Sequence, residues 1–283
     1  MDSPANQPAS RCFHLPMKTS FLLIILLTAA LTESLADSTN EAPDRLPPLP
    51  SGQQWKLAWA DEFDGVAVDT NKWDVMGDWK RRDGFWVKTN SFLDGHGNLV
   101  LRTANDGGQF TSGAVRTKNR FEHAFGFWTT RCRLPKQPGH WSAFWLMSDA
   151  VFHAGDAGRD GTEIDVAEFP WRDGRYDINL HWDGYGRAHK HEGKNVTRPA
   201  ITNGFHTFSL LWTTNVYVFY ADGEEVWRTA AGGVSQRPEY AKFSNEVGDW
   251  AGDIRKARLP DDFVIDYIRV YDAVPVTETP AAK

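Results

Sequence analysis

The segment 162–169 reads TEIDVAEF and sets three carboxylates, Glu163, Asp165 and Glu168, among residues that favour burial. A charge in apolar surroundings is costly unless it is paired or used. Carboxyl groups a few ångströms apart can do acid–base and nucleophilic work on a glycosidic bond. One then attacks the anomeric carbon or activates water, while the other protonates the leaving oxygen. Clustering also raises the pKa of at least one member, so that it keeps the proton a general acid must deliver.

The spacing decides which element can gather them. On a helix, Glu163 and Asp165 would point about 160° apart and Glu168 would lie about 140° from Glu163, so no single face collects the three. On a strand Glu163 and Asp165 share a face, but Glu168 falls on the opposite one. It joins them only if one residue bulges out between 165 and 168, a device common beside active sites. The glutamate Cα atoms would then be about 13 Å apart, and inward-leaning side chains would leave a carboxyl gap of roughly 5–7 Å. That range overlaps both retaining (about 5–5.5 Å) and inverting (about 6.5–9.5 Å) glycosidases, with retention slightly favoured. The competing readings are acids on a solvated strand face and a calcium site. Against the solvated face, Ile164, Val166 and Phe169 flank the acids, and the motif contains no Lys or Arg.

The elements that must hold such a strand follow period two. GNLVLRTA, SGAVRTK, FGFWTTRCRL, WSAFWLM, YDINLHW, FHTFSLLW and FVIDYIRVYD are short strand-like runs separated by Gly, Asp and Asn turns. Asp222-Gly223 in NVYVFYADGEEVWR is a hairpin signal. Stretches of helical period are almost absent, which predicts an all-β antiparallel sandwich. The chain has 283 residues, 41% of them hydrophobic, with 13 Trp and 17 Phe, enough for a thick β core and for a cleft that stacks on sugar rings. A net charge of −6 with acids and bases intermixed gives no phosphate-tracking patch. Nucleic acid is therefore not an expected partner, and the balance suits a neutral substrate.

From Met17 the chain has a secretory leader: Lys18, an apolar run Phe21 to Leu31, and a small-residue cleavage site ending at Ala36. Translation is expected to start at Met17. The expected organisation is a signal region at 1–36, a Pro-rich linker at 37–53, one catalytic domain at 54–273 and a tail at 274–283. The product would be secreted or periplasmic, with no membrane attachment after cleavage, and monomeric. Cys132 would be a buried, inert thiol, and HKHEG (189–193) a solvent-facing loop without the ligands a metal needs.

TEIDVAEF together with WADEFDG, GNLVL, TSGAVRTKNRF, FGFWTTRCRLPKQPGHWSAFWLM, NLHWDG, FYADGEEV and FVIDYIRVYD resembles glycoside hydrolase family 16, retaining endo-glycanases with a β-jelly-roll and a concave substrate cleft. The resemblance covers nearly all of 55–272. It implies Glu163 as nucleophile, Glu168 as acid/base and Asp165 as the residue that hydrogen-bonds and tunes the pair. It also implies His181 near the acid/base, Trp141 and Trp145 as cleft aromatics, and, more weakly, Trp171 and Asn90 as sugar contacts. Catalysis would need no cofactor; a structural calcium would sit at Glu62, Gly97 and Asp266. Ser142, where many relatives have Pro, and NLHWDG, without the His-Tyr-Gly of many β-1,3-glucanases, depart from the pattern and leave the substrate open. The implied substrate is a polysaccharide, β-1,3- or β-1,3/1,4-glucan, or alternatively an agar- or porphyran-type galactan. A non-catalytic glycan-binding protein and a transglycosylase on the same fold are the rival readings.

Overall fold

The computed structural model describes residues 45–276, so the expected leader, much of the linker and residues 277–283 lie outside the described residues. All the described residues fall in a single unit. Among them there is no α-helix; the helical turns are five 3-10 segments of three or four residues. No described helix is long and apolar enough to cross a membrane.

The period-two runs pair into two sheets, of eleven and seven strands. Pairing is antiparallel except between Gly84–Trp86 and Gln109–Ser112. In the seven-stranded sheet Lys190–Thr197, Arg175–Trp182, Glu163–Phe169, His140–Met147, Tyr240–Val247, Ala114–Arg116 and Asp74–Met76 lie side by side in that order. The acid-bearing strand is thus interior to its sheet, held by ladders on both sides.

The core fills the space between the sheets. Trp73, Trp128, Trp212, Phe144, Phe208, Phe243 and Phe263 are among its fully buried side chains. Ring contacts cross from one sheet to the other, Phe169 to Phe208 at 4.7 Å and Phe243 to Phe263 at 6.4 Å. Truncating such a ring to Ala costs about 3–5 kcal/mol, which is the scale on which this packing fixes the strands. Asp222 and Gly223 both have positive φ, 51° and 77°, so the predicted hairpin turns through the left-handed region that Gly tolerates. Cys132 is free and 1% exposed, and burial pushes its thiol pKa up, as an inert core cysteine requires.

The edges of the domain are firmer than the composition of the Pro-rich segment suggests. Gln53 pairs with Pro275, so the first and last strands run past 54 and 273. Residues 45–52 have no strand, yet Trp55 Nε1 donates to the Pro47 carbonyl at 2.8 Å and Arg45 donates to the Asp222 carbonyl at 3.3 Å.

Candidate active site

The bulge expected from the parity of the three acids is present. On one side Phe144 pairs with Ala167 and Trp145 with Asp165, so Val166 has no partner; on the other, Asp165 pairs with Asn179 and Glu168 with Asp177. Ile164, Val166, Ala167 and Phe169 all belong to the core cluster. Two consecutive core-facing residues, Val166 and Ala167, turn Glu168 back to the face of Glu163 and Asp165. All three acids line one cavity of about 380 Å³ on the outer face of the seven-stranded sheet.

Their surroundings differ. Glu168 is 6% exposed; its Oε1 accepts from Trp141 Nε1 at 2.9 Å and its Oε2 from Asn179 Nδ2 at 2.6 Å. Burial, then the Asp165 charge, push its pKa well above the usual carboxylate range, and the two donors only partly oppose this. Asp165 is 4% exposed and likewise raised, by burial first and the neighbouring Glu163 second. Glu163 is half-buried and accepts a short hydrogen bond from the Tyr185 hydroxyl. The site therefore contains an accessible carboxylate beside a buried carboxyl group that favours its protonated form, the division of labour that acid–base cleavage of a glycosidic bond needs.

Trp141 and Trp145 line the cavity as expected. Trp145 donates to Ser244 Oγ at 3.2 Å, and Trp141 carries the Arg82 guanidinium over its ring at 3.9 Å. His181 Nε2 stands 3.4 Å from Asp165 Oδ2, so it touches the middle acid rather than Glu168. Trp171 does not line this cavity. It borders a neighbouring depression with Trp250, which packs edge-on against both Trp171 (5.6 Å) and Trp141 (4.6 Å). Asn90 also lies off the cavity lining, its side chain donating to Thr111 Oγ1 at 3.0 Å.

Several residues escaped the sequence reading. Asn179 sits two positions before His181 on the same strand, and equal parity would have placed it on the same face. Its Nδ2 reaches Glu168 on one neighbouring strand, while its Oδ1 lies against Gly193 on the other, where an added Cβ would come within 2.1 Å of it. HKHEG is solvent-facing as expected but is largely strand rather than loop: Lys190–Thr197 is a mostly exposed strand, and His189 and His191 stack on His181 at 5.2 and 5.8 Å. His189 Nε2 lies 3.0 Å from His181 Nδ1, which fixes the imidazole beside Asp165. Arg81, Arg82, Lys242 and Glu246, also in the lining, come from distant segments and had no local signal.

The three positions implied for calcium are only partly gathered. Gly97 approaches the Glu62 carbonyl, one of the backbone oxygens the resemblance implies as ligands, but Asp266, the implied carboxylate, is paired with Arg131 at 2.5 Å. With that carboxylate engaged by a guanidinium group, the set does not fit a divalent cation as it stands. Among the described residues the side-chain group spaced to hold a metal is Glu163, Asp165 and His181, within the acid cluster itself.

The family model for glycosyl hydrolases family 16 matches residues 76–269. The chain is 24% identical to a β-glucanase of Rhodothermus marinus over 94% of its own length and 98% of the relative's. It is 26% identical to a keratan-sulfate endo-1,4-β-galactosidase of Sphingobacterium multivorum, covering 77% of this chain and 55% of that one. Among solved structures, the laminarinase of Flavobacterium sp. UMI-01 superposes with a TM-score of 0.66 at 26% identity, over 77% of this chain and all of that one. A bulged strand carrying three clustered acids, on a jelly-roll sandwich matched across both sheets, places the chain in glycosyl hydrolases family 16, as a hydrolase of O-glycosyl bonds.

Proposed function

We propose that the protein is an endo-acting β-glucan hydrolase, cutting β-1,3 or mixed β-1,3/1,4 linkages with retention of configuration. The observation that carries the reading is the bulge at Val166-Ala167, which puts Glu163 and Glu168 on one face in unlike environments. Glu163 attacks the anomeric carbon while Glu168, held protonated by burial, gives its proton to the leaving oxygen. The glycosyl–Glu163 ester then forms, and Glu168, now a carboxylate stabilised by Trp141 and Asn179, takes a proton from an incoming water as that water's oxygen attacks the anomeric carbon and the bond to Glu163 breaks, freeing its carboxylate. Asp165 lies between them, its side chain near His181, and Tyr185 orients the nucleophile. Two carboxyl groups suffice for this chemistry, so no cofactor is needed.

The related β-glucanase and laminarinase support a glucan substrate, and the aromatic path Trp141–Trp250–Trp171 supports an extended polymer. The same proposal includes export through the leader at 17–36 and action as a monomer. Reducing-end release from laminarin, mixed-linkage glucan, agarose and porphyran is the test. Activity on the glucans with Glu163→Gln inactive supports the reading. Activity only on the galactans replaces the substrate, and a folded but inactive protein supports glycan binding. Transfer to added oligosaccharide in place of hydrolysis would indicate a transglycosylase.

A further inference from the structure

Away from the acid-bearing strand the cavity changes sign. The residues of the Tyr240–Val247 strand that line it are Lys242, Ser244 and Glu246, and Arg81 and Arg82 reach it from the Trp79–Arg81 strand and the turn that follows. Glu246, 3% exposed, pairs with Arg81 at 2.8 Å and also with Arg82. One carboxylate between two guanidinium groups leaves a positive charge over. Both arginine side chains stay more than a third exposed, so that charge is presented to the cleft.

Lys242 adds another. It is 6% exposed, and its ammonium lies over the Trp145 ring, 3.5 Å from the centroid, with no carboxylate within ion-pair distance among the described residues. Trp145 and Lys242 are cross-strand partners, so the ammonium sits one strand beyond the tryptophan expected to carry a sugar. A desolvated ammonium without a directly paired anion is costly, and burial lowers its pKa to about 7 although the charges of Glu163 and Glu246 oppose the shift. Neutral sugar hydroxyls call for no such group. An oxyanion would pair with it, and guanidinium forks match sulfate and carboxylate oxygens well.

We propose that the sugar unit bound over the Lys242 side of Trp145 carries an anionic substituent, a sulfate ester or a carboxylate, held by Lys242 together with Arg81 and Arg82. The inference rests on the glycanase reading of the same cleft and deepens it. It departs from the expectation of a neutral substrate, because the net charge of −6 hides a local cluster of three cations. Arg82 stacks on Trp141, the donor to Glu168, so the anion site adjoins the catalytic carboxyl rather than a remote wall.

The test compares one backbone in three forms. Rates would be measured on laminarin, partially sulfated laminarin and carboxymethyl laminarin, and on porphyran before and after desulfation. Binding of the laminarin forms to Glu163→Gln would be measured by calorimetry. The expected result is at least a tenfold preference in kcat/KM and in affinity for an anionic form, shrinking as salt rises. The better of the sulfated and carboxymethyl arms identifies the group. Lys242→Met should lose most of that preference and Lys242→Arg retain much of it, each checked for folding by its melting curve. Equal or better use of the neutral form, or an anionic preference left unchanged in Lys242→Met, would overturn the proposal. If no form is cleaved, the glycanase reading fails, and the binding preference still decides the anion site by itself.

Discussion

Trp141→Phe isolates one hydrogen bond to the proposed general acid. The indole Nε1 donates to Glu168 Oε1 at 2.9 Å, and the replacement keeps an aromatic ring beneath Arg82 while removing that donor. A hydrogen bond to a charged partner is worth about 1.5–3 kcal/mol, and it favours the ionised carboxylate. Its loss therefore raises the Glu168 pKa further and destabilises the carboxylate by up to that amount. Asn179 still holds the other oxygen, which points to the lower half of that range. The pH profile of kcat/KM reports the free enzyme, and its alkaline limb marks loss of the proton from the general acid. That limb should move to higher pH, with a lower rate at the optimum because the second step needs the carboxylate as base. An alkaline limb that stays in place or moves down, in a variant that melts like the parent, would refute the assignment of Glu168 as the acid.

Asp165→Asn tests the cost of the buried acid. Because the folded-state pKa of Asp165 is raised, the native contribution is full below about pH 3.8 and is lost as pH climbs toward the folded value. The amide does not titrate, so the variant should gain melting temperature over the parent near pH 7 and not near pH 3.5; an equal offset at both would contradict this. Gly193→Ala puts a Cβ into the space of Asn179 Oδ1, so it and Asn179→Ala should lower kcat/KM by similar factors, on the order of tenfold. The double variant should be no worse than Asn179→Ala, whereas additive losses would separate the two. Finally, since Asp266 is engaged by Arg131, a chelator should leave the melting curve unchanged; a drop reversed by calcium would show that a cation displaces that pair.

The acids, their bulge and the sandwich were legible because a strand alternates strictly. Three charges of mixed parity beside apolar neighbours admit one arrangement with every charge on one face. The hairpin at Asp222-Gly223 was legible for a similar local reason. The cationic half of the cleft was not, since Arg81 stands in the eleven-stranded sheet and Lys242 in the seven-stranded one, and no local pattern specifies the tertiary packing that brings them to one cavity. HKHEG was legible as solvent-facing but not as a strand, because exposed polar strand residues carry no alternation, and Lys190–Thr197 is exposed at nearly every position. Trp171 and Asn90 were placed by proximity in sequence to the motif or by resemblance. The chain leaves the sheet face after Phe169, which carries Trp171 to the neighbouring depression.

The central claim is that Glu163 is a nucleophile and Glu168 the acid/base of a double displacement. Proton NMR of the anomeric signals during the first minutes of hydrolysis tests it directly, on whichever polysaccharide proves to be cut. The β-anomer should appear first and mutarotate later; the α-anomer appearing first would show inversion and remove Glu163 from the role of nucleophile.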